Sequence, residues 1–453
     1  MSLWKIAWRS IQQRALASAM TAVSMALGVM LVVAVLIASV IVERSFESGN
    51  NLGYNLIVGA KGGRLDLLLN TVFYLNRPIE NIPWSYYQEF LPASKRHDGK
   101  DGTFVDRVEL AIPECLGDYV ENTEFRVVGT IPDMFTELPR YREYREKEES
   151  PLPACPPQFE EGGRCFRQDE FTSAVLGAEV ASKLHKKVGD EFQPSHGIGP
   201  SAEKHMPFKI VGILKRTGTP NDRAAFINLE GFFLIPDHAK GHIEEPKKPG
   251  DPEDPVLTTP LPDDQREATS VLICTRRIPD TAPGFLVPAL LKSINKDFVA
   301  QAIQPVLEIT TLTNTFVRPL QIILLMLTVM IVIVAGVGIM VSIYTSMSER
   351  RHEIAVMRAL GARRGTVMLI VLFESILLAF GGGLLGWLIG HLLIGAAGPM
   401  ITDYTGVVAP FLLFAPYELI LIPALIVLAA LAGFLPALAA YRTDVGKALT
   451  ATP

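Results

Sequence analysis

Apolar residues crowd into four long runs nearly free of charge, while the rest of the chain mixes short apolar and polar stretches. The runs cover residues 15–42, 319–347, 365–397 and 419–441. Each reaches the roughly 20 apolar residues that a helix needs to cross a bilayer. Glu374 is the only charge inside the third. The first run is much longer than the roughly 7–15 residues of a signal-peptide core, so it reads as an uncleaved signal-anchor helix. The pattern predicts four transmembrane helices.

Between the first two runs, residues 43–318, the periodicity changes. Alternating or short apolar stretches at 125–131, 174–177, 208–214 and 224–227 predict strands, and 271–275 is strand-like. Residues 178–184 predict a helix and 188–190 a turn. The glycines of 55–63 predict a turn leading into an amphipathic helix over 64–73, and a helical pattern returns over 288–304. Two stretches, 137–168 and 246–264, are rich in charge and proline and read as loops. This mixture predicts one large α+β domain inserted between helices 1 and 2.

Charge then orients the chain. Lys5, Arg9 and Arg14 precede helix 1, five arginines lie between helices 2 and 3, and Arg442 and Lys447 follow helix 4. Lys and Arg collect on the cytoplasmic side, which puts 1–14, 348–364 and 442–453 in the cytosol. The domain over 43–318 and the loop over 398–418 fall outside. Residues 43–317 hold 31 Lys and Arg against 41 Asp and Glu, a net charge of −10 that the overall −5 conceals. An acidic exterior argues against a nucleic-acid partner. All four cysteines lie in this region, where disulfides persist if the compartment is oxidising. Cys155 and Cys165 flank a Pro- and Gly-rich loop and are a candidate bridge. Cys115 and Cys274 are a second possible pair, unless Cys274 is simply packed in its strand.

The most informative stretch is SERRHEIAVMRALGA, residues 348–362. Ile354, Met357 and Leu360 recur at helical spacing. Arg350, Arg351, Glu353 and Arg358 surround them, and Gly361 is placed to end the helix. A short basic amphipathic helix under the membrane, offering an apolar face to a soluble partner, is the simplest physical reading. Glu374 must be paired or wet inside the membrane, and a salt bridge to an arginine of 350–364 is the expectation. Gly382, Gly386 and Gly390 share one helix face, a spacing that lets helices approach closely, within the subunit in preference to a dimer seam. Gly336 and Gly338 offer a weaker version of the same device. His238 and His242 have the i, i+4 spacing of metal ligands, but no third fixed ligand accompanies them. Together with His196 and His205 they read as solvated loop histidines, so no metal site is expected. No nucleophile–His–Asp constellation is recognisable, and no phosphate-binding loop occurs in the 453 residues.

The 348–362 segment resembles the cytoplasmic loop of FtsX-like, or MacB-like, permeases of ABC transporters. The resemblance continues through LFES (372–375), GGGLLG (381–386) and AYRTDVGKAL (440–449). Val445 and Thr450 stand where the family usually has Pro and Arg. Residues 175–192 and 208–215 are similar to the family's periplasmic core domain. The resemblance implies a permease of the type VII class at the cell inner membrane. Two permease copies, identical or related, would sit in membrane lipid on ATPase subunits supplied in trans, which bind the ATP and Mg. The permease itself would bind no cofactor and hydrolyse no ATP. ATP-driven closure would reach the outer domain through the coupling helix and helices 1 and 2. The substrate exported or extracted would be lipidic, peptide or lipoprotein-like. The alternative is a mechanotransmitting scaffold that activates an extracytoplasmic enzyme or metal-handling partner and moves no substrate.

Overall fold

The computed structural model describes residues 3–50, 53–75, 77–139, 159–199, 202–235, 260–279, 281, 284–349, 351–405, 414 and 416–442. They divide into two compact units, one made of 1–44 with 314–453 and the other of 45–313.

The second unit is built on a sheet. In chain order its strands are β1 (Leu56–Ala60), β2 (Ile82–Pro83), β3 (Val108–Val120), β4 (Arg126–Thr130), β5 (Ser173–Leu176), β6 (Glu191–Phe192), β7 (Pro194–His196), β8 (Glu203–Lys204), β9 (Phe208–Ile213), β10 (Ala224–Asn228), β11 (Glu267–Ala268), β12 (Ser270–Thr275) and β13 (Ala300–Ile303). The main sheet runs β13-β1-β12-β3-β4-β10-β5-β9-β6, with β7 joined to β3 and β8 to β7; β2 and β11 form a separate pair. β4 with β10 and β5 with β9 are parallel, and the other ladders are antiparallel. Successive residues of one strand enter opposite cores. Val127, Ala174 and Ala225 join one apolar cluster, and their neighbours Val128, Val175 and Phe226 join the other. Because both faces are covered, these strands read as continuous apolar runs. Helices Ala178–Leu184, Leu229–Phe233 and Val287–Asn295 contribute Val180, Phe233 and Leu290 to the first cluster.

Three local readings are corrected. Residues 56–60 are a strand, β1, held between β12 and β13, where a turn was expected. The helical pattern over 288–304 stops at Asn295. Residues 300–303 pair with β1 instead, and the Asn295 side chain bonds both the N–H and the C=O of Ala302. β3, the longest strand among the described residues, has no counterpart in the sequence reading. Its buried Glu114 and Asp118 break the apolar pattern that would reveal it.

The cysteine expectations also change. Cys274 lies opposite Leu110 in the β3–β12 ladder, several positions from Cys115, and the two thiols enter different clusters. Neither sulfur is in a disulfide, so this pair is not formed. Cys165 is a free thiol beside the Phe166 carbonyl (3.1 Å). Cys155, its expected partner, lies outside the described residues.

The first unit is helical: α1 (Leu3–Gln13), α2 (Ala15–Asn50), α3 (Arg318–Glu349), α4 (Arg351–Ala359), α5 (Arg364–Thr405) and α6 (Leu421–Tyr441). Among the described residues, four spans are long and apolar enough to cross a membrane: Ala15–Ile41, Pro305–Thr345, Arg364–Ile401 and Glu418–Ala439. Their shared core includes Val29, Val33, Ile339, Ile343, Val371 and Ala429. α3 and α6 still expose much apolar surface, for example Ile323, Val334, Leu431 and Leu435. That is stable in hydrocarbon, where no hydrophobic penalty attaches to it. The helix of the third span continues to Thr405, so the outer loop expected over 398–418 is helical in its first part.

Candidate coupling site

α4 follows α3 closely in sequence and ends in a turn that only glycine adopts freely. Gly361 has φ +101°. Its N–H donates to the Arg358 carbonyl (3.1 Å), and the Ala362 N–H reaches back to Met357 (3.0 Å). These two bonds are the pair that satisfies the orphan carbonyls of a Schellman cap. Gly361 therefore sits just beyond the helix, and the chain reverses into α5.

The apolar face of α4 divides. Ile354 is 3% exposed and packs into the core of its own helical unit with Met347 and Val367, and Met357 is partly buried against the same cluster. Leu360 is 84% exposed and Val356 is also exposed. The expectation that Ile354 faces a partner is corrected: Ile354 anchors α4, and Val356 with Leu360 forms the outward apolar edge. Burial decides this, because i, i+3 spacing names a stripe without saying which neighbour claims it. Arg358 is half-buried. Arg350 lies outside the described residues, and the side chains described on α4 begin at Ile354, leaving those of Arg351 and Glu353 out. Just beyond the cap, the Arg364 guanidinium lies over the Tyr441 ring of α6 (5.9 Å).

Gly382, Gly386 and Gly390 of α5 meet α2. A methyl group on Gly382 would stand 2.7 Å from the Ala22 carbonyl oxygen, on Gly386 2.9 Å from Val29 Cβ, and on Gly390 3.0 Å from Val33 Cβ. The approach is within the chain. Gly336 faces Leu428 of α6, whereas Gly338 has open space beside it.

Glu374 is buried, and the Ser10 hydroxyl of α1 donates to its Oε2 (3.0 Å). That donor comes from the N-terminal segment 1–14, which the charge pattern places in the cytosol. A second polar group was missed. Trp387 Nε1 donates to Glu418 Oε2 (2.8 Å), and His391 Nε2 lies 3.2 Å from the same oxygen. Both His391 and Glu418 are buried. Trp387 and His391 are four apart, which was a signal available in the sequence; their acceptor is distant along the chain.

His238 and His242 lie outside the described residues. The solvated-loop reading is corrected for His205, while His196, at the end of β7, is largely exposed. His205 is nearly buried, and both His196 and His205 face Asp118, because the β3–β7–β8 ribbon brings them together.

The FtsX-like permease C-terminal model matches residues 325–445, and the MacB-like periplasmic core domain model matches residues 18–247. Among curated proteins, the chain is similar to the macrolide export ATP-binding/permease protein MacB of Campylobacter jejuni serotype O:2. That match is 27% identical over 247 residues, covering 54% of this chain and 35% of the relative. The protein of the same name from Shewanella oneidensis is 33% identical over 163 residues, 35% of this chain and 22% of the relative. That of Sodalis glossinidius is 36% identical over 99 residues, 20% and 15%. The chain thus matches about a third or less of the length of these relatives, and the two family models fall on permease regions. With four helices long and apolar enough to cross a membrane, and an α+β domain between the first two along the chain, the chain belongs to the family of MacB-like, FtsX-like permeases.

Proposed function

We propose that this chain is the membrane subunit of an ABC transporter, coupling ATP hydrolysis on an ATPase bound in trans to movement of its α+β domain. The observation that carries the reading is α4: a short capped helix between two membrane spans, anchored by Ile354 and edged outward by Val356 and Leu360. An amphipathic helix seated in a groove is a common way for one protein to grip another. α2 leads into the domain along the chain and α3 leads out of it, so α4 is joined to the domain through helical segments. The work delivered is the export or extraction of a lipidic, peptide or lipoprotein-like substrate. The word "export" in the relatives' names supports that direction. The termini and α4 lie in the cytosol, the α+β domain lies outside, and two permease copies complete the assembly, with an extracytoplasmic partner protein receiving the substrate.

The test is co-purification of the full-length chain with its ATPase from its own membrane. The double change Val356→Asp and Leu360→Asp is expected to abolish ATPase recovery and ATPase stimulation while membrane insertion stays normal. Normal ATPase recovery by that variant would refute the role of α4. Ile354→Asp is not informative for docking, because it places a charge in the helical core.

A further inference from the structure

β3, β7 and β8 form a small three-stranded ribbon on the α+β domain. Tyr119 of β3 pairs with Ser195 of β7, and Ser195 pairs with Lys204 of β8. The neighbouring positions follow from these ladders. His196 stands beside Asp118, and the His205 N–H donates to the Pro194 carbonyl (2.9 Å), which sets His205 beside Pro194. Side chains alternate faces along a strand with a period of two. Asp118, His196 and His205 therefore project from one face of the ribbon. Between β7 and β8 the chain turns at Gly197 and Gly199, with φ +100° and +125°, and Ser195 Oγ donates to the Gly197 carbonyl (3.1 Å). The turn is what returns a second histidine to the first.

One donor atom from each of the three residues lies within 4.8 Å of the others. His196 Nδ1 is 3.3 Å from Asp118 Oδ1, and His205 Nε2 is 3.2 Å from Asp118 Oδ2. Ligands about 2.0–2.1 Å from a tetrahedral ion stand about 3.3 Å apart, so both spacings fit the edge of such a site. The nearest contacts use different carboxylate oxygens, so an ion would sit astride Asp118 or take one oxygen after a small rotation of the carboxylate. The Asp118 side chain has 0% exposure and that of His205 7%, which fixes them; His196 is 65% exposed, which leaves an entry path and room for a water as further ligand.

We propose that Asp118, His196 and His205 bind one divalent transition ion of the zinc class. Two imidazoles and one carboxylate suit zinc and its neighbours and do not suit calcium or magnesium, which take oxygen ligands. This inference does not rest on the coupling function of α4. The competing account is an ion-pair cluster, in which protonated imidazoles alone balance the Asp118 carboxylate.

The experiment uses the full-length chain in detergent, with any affinity tag removed and metal stripped by a chelator. Zinc alone is titrated in competition with a chromophoric chelator, in the wild type and in His196→Ala. The exposed His196 makes that variant a mild one for folding, and Asp118→Asn with unchanged circular dichroism is the second. The wild type is expected to bind one equivalent more than either variant. Zinc is expected to raise the thermal midpoint of the wild type alone, since an ion bound to the native state stabilises it by mass action. Cobalt substituted for zinc is expected to show visible d–d absorption that His196→Ala removes. Equal stoichiometry in wild type and His196→Ala, or no bound equivalent in the wild type, would overturn the site and leave the ion-pair cluster.

Discussion

Glu114 stands opposite Ser270 and Thr130 in the middle of the sheet and has no exposed surface. Ser270 Oγ donates to its carboxyl over a long 3.4 Å, a weak offset to desolvation. Burial pushes its carboxyl up to about 8, and Tyr54 and Tyr74 nearby are raised by burial first and by Glu114 second. A free carboxyl titrates near 4.3, so at neutral pH the native state holds a proton that the unfolded chain has released. The native state then binds more protons, and stability falls as pH rises from the unfolded value through about 8. Glu114→Gln is expected to flatten the decline in thermal midpoint between pH 5 and 9 (about the interval the two titrations bracket). An unchanged slope in the variant would show that Glu114 does not govern it.

At the scale of elements, α5 depends on glycine where it crosses α2. A Cβ on Gly386 would press on the Ala26 carbonyl and Val29, whereas one on Gly381 meets nothing within 4 Å. Gly386→Leu is expected to lower the thermal midpoint in detergent, with overpacking costing about 1–3 kcal/mol, while Gly381→Leu leaves it in place. Equal behaviour of the two would contradict the packing account. α4 illustrates a different point. Its length and stop are set locally, by Gly361 and the two cap bonds. The division of its apolar stripe between an anchor and an outward edge is set by Met347 and Val367, which belong to other helices. Among the strands, β13 shows tertiary pairing overriding a helical pattern, with Asn295 stopping the helix and β1 capturing the residues beyond it.

For the whole molecule, the proposal sets α4 and the α+β domain on opposite sides of the membrane. Cysteine labelling tests that directly. Leu360→Cys and Phe298→Cys both replace exposed residues. With Cys155 replaced by Ser, the other three native thiols make a quiet background. Cys115 and Cys274 are buried, and burial pushes Cys165 up to about 12, which leaves almost no thiolate at neutral pH. A membrane-impermeant reagent applied to intact spheroplasts is expected to label the cysteine at 298 and spare the one at 360, with the reverse in inverted vesicles. Labelling of both from one side would reject the orientation.

Much was legible in the sequence because it depends on composition and local spacing. Runs of roughly 20 apolar residues with almost no charge match the thickness of a bilayer, so four candidate spans could be counted from the sequence. The strands at 126–130, 173–176, 208–213 and 224–228 announced themselves as alternating or short apolar stretches. The stop at Gly361 needed only a residue tolerant of positive φ. What the tertiary structure decided is which side chain meets which. Ser10 and Glu374 are 364 residues apart in sequence and bonded in space. Asp118 joins His196 and His205 through strand register, a property of pairing that no single strand encodes. Ile354 and Leu360 look alike on a helical stripe, and only the helices around them make one an anchor and the other a surface.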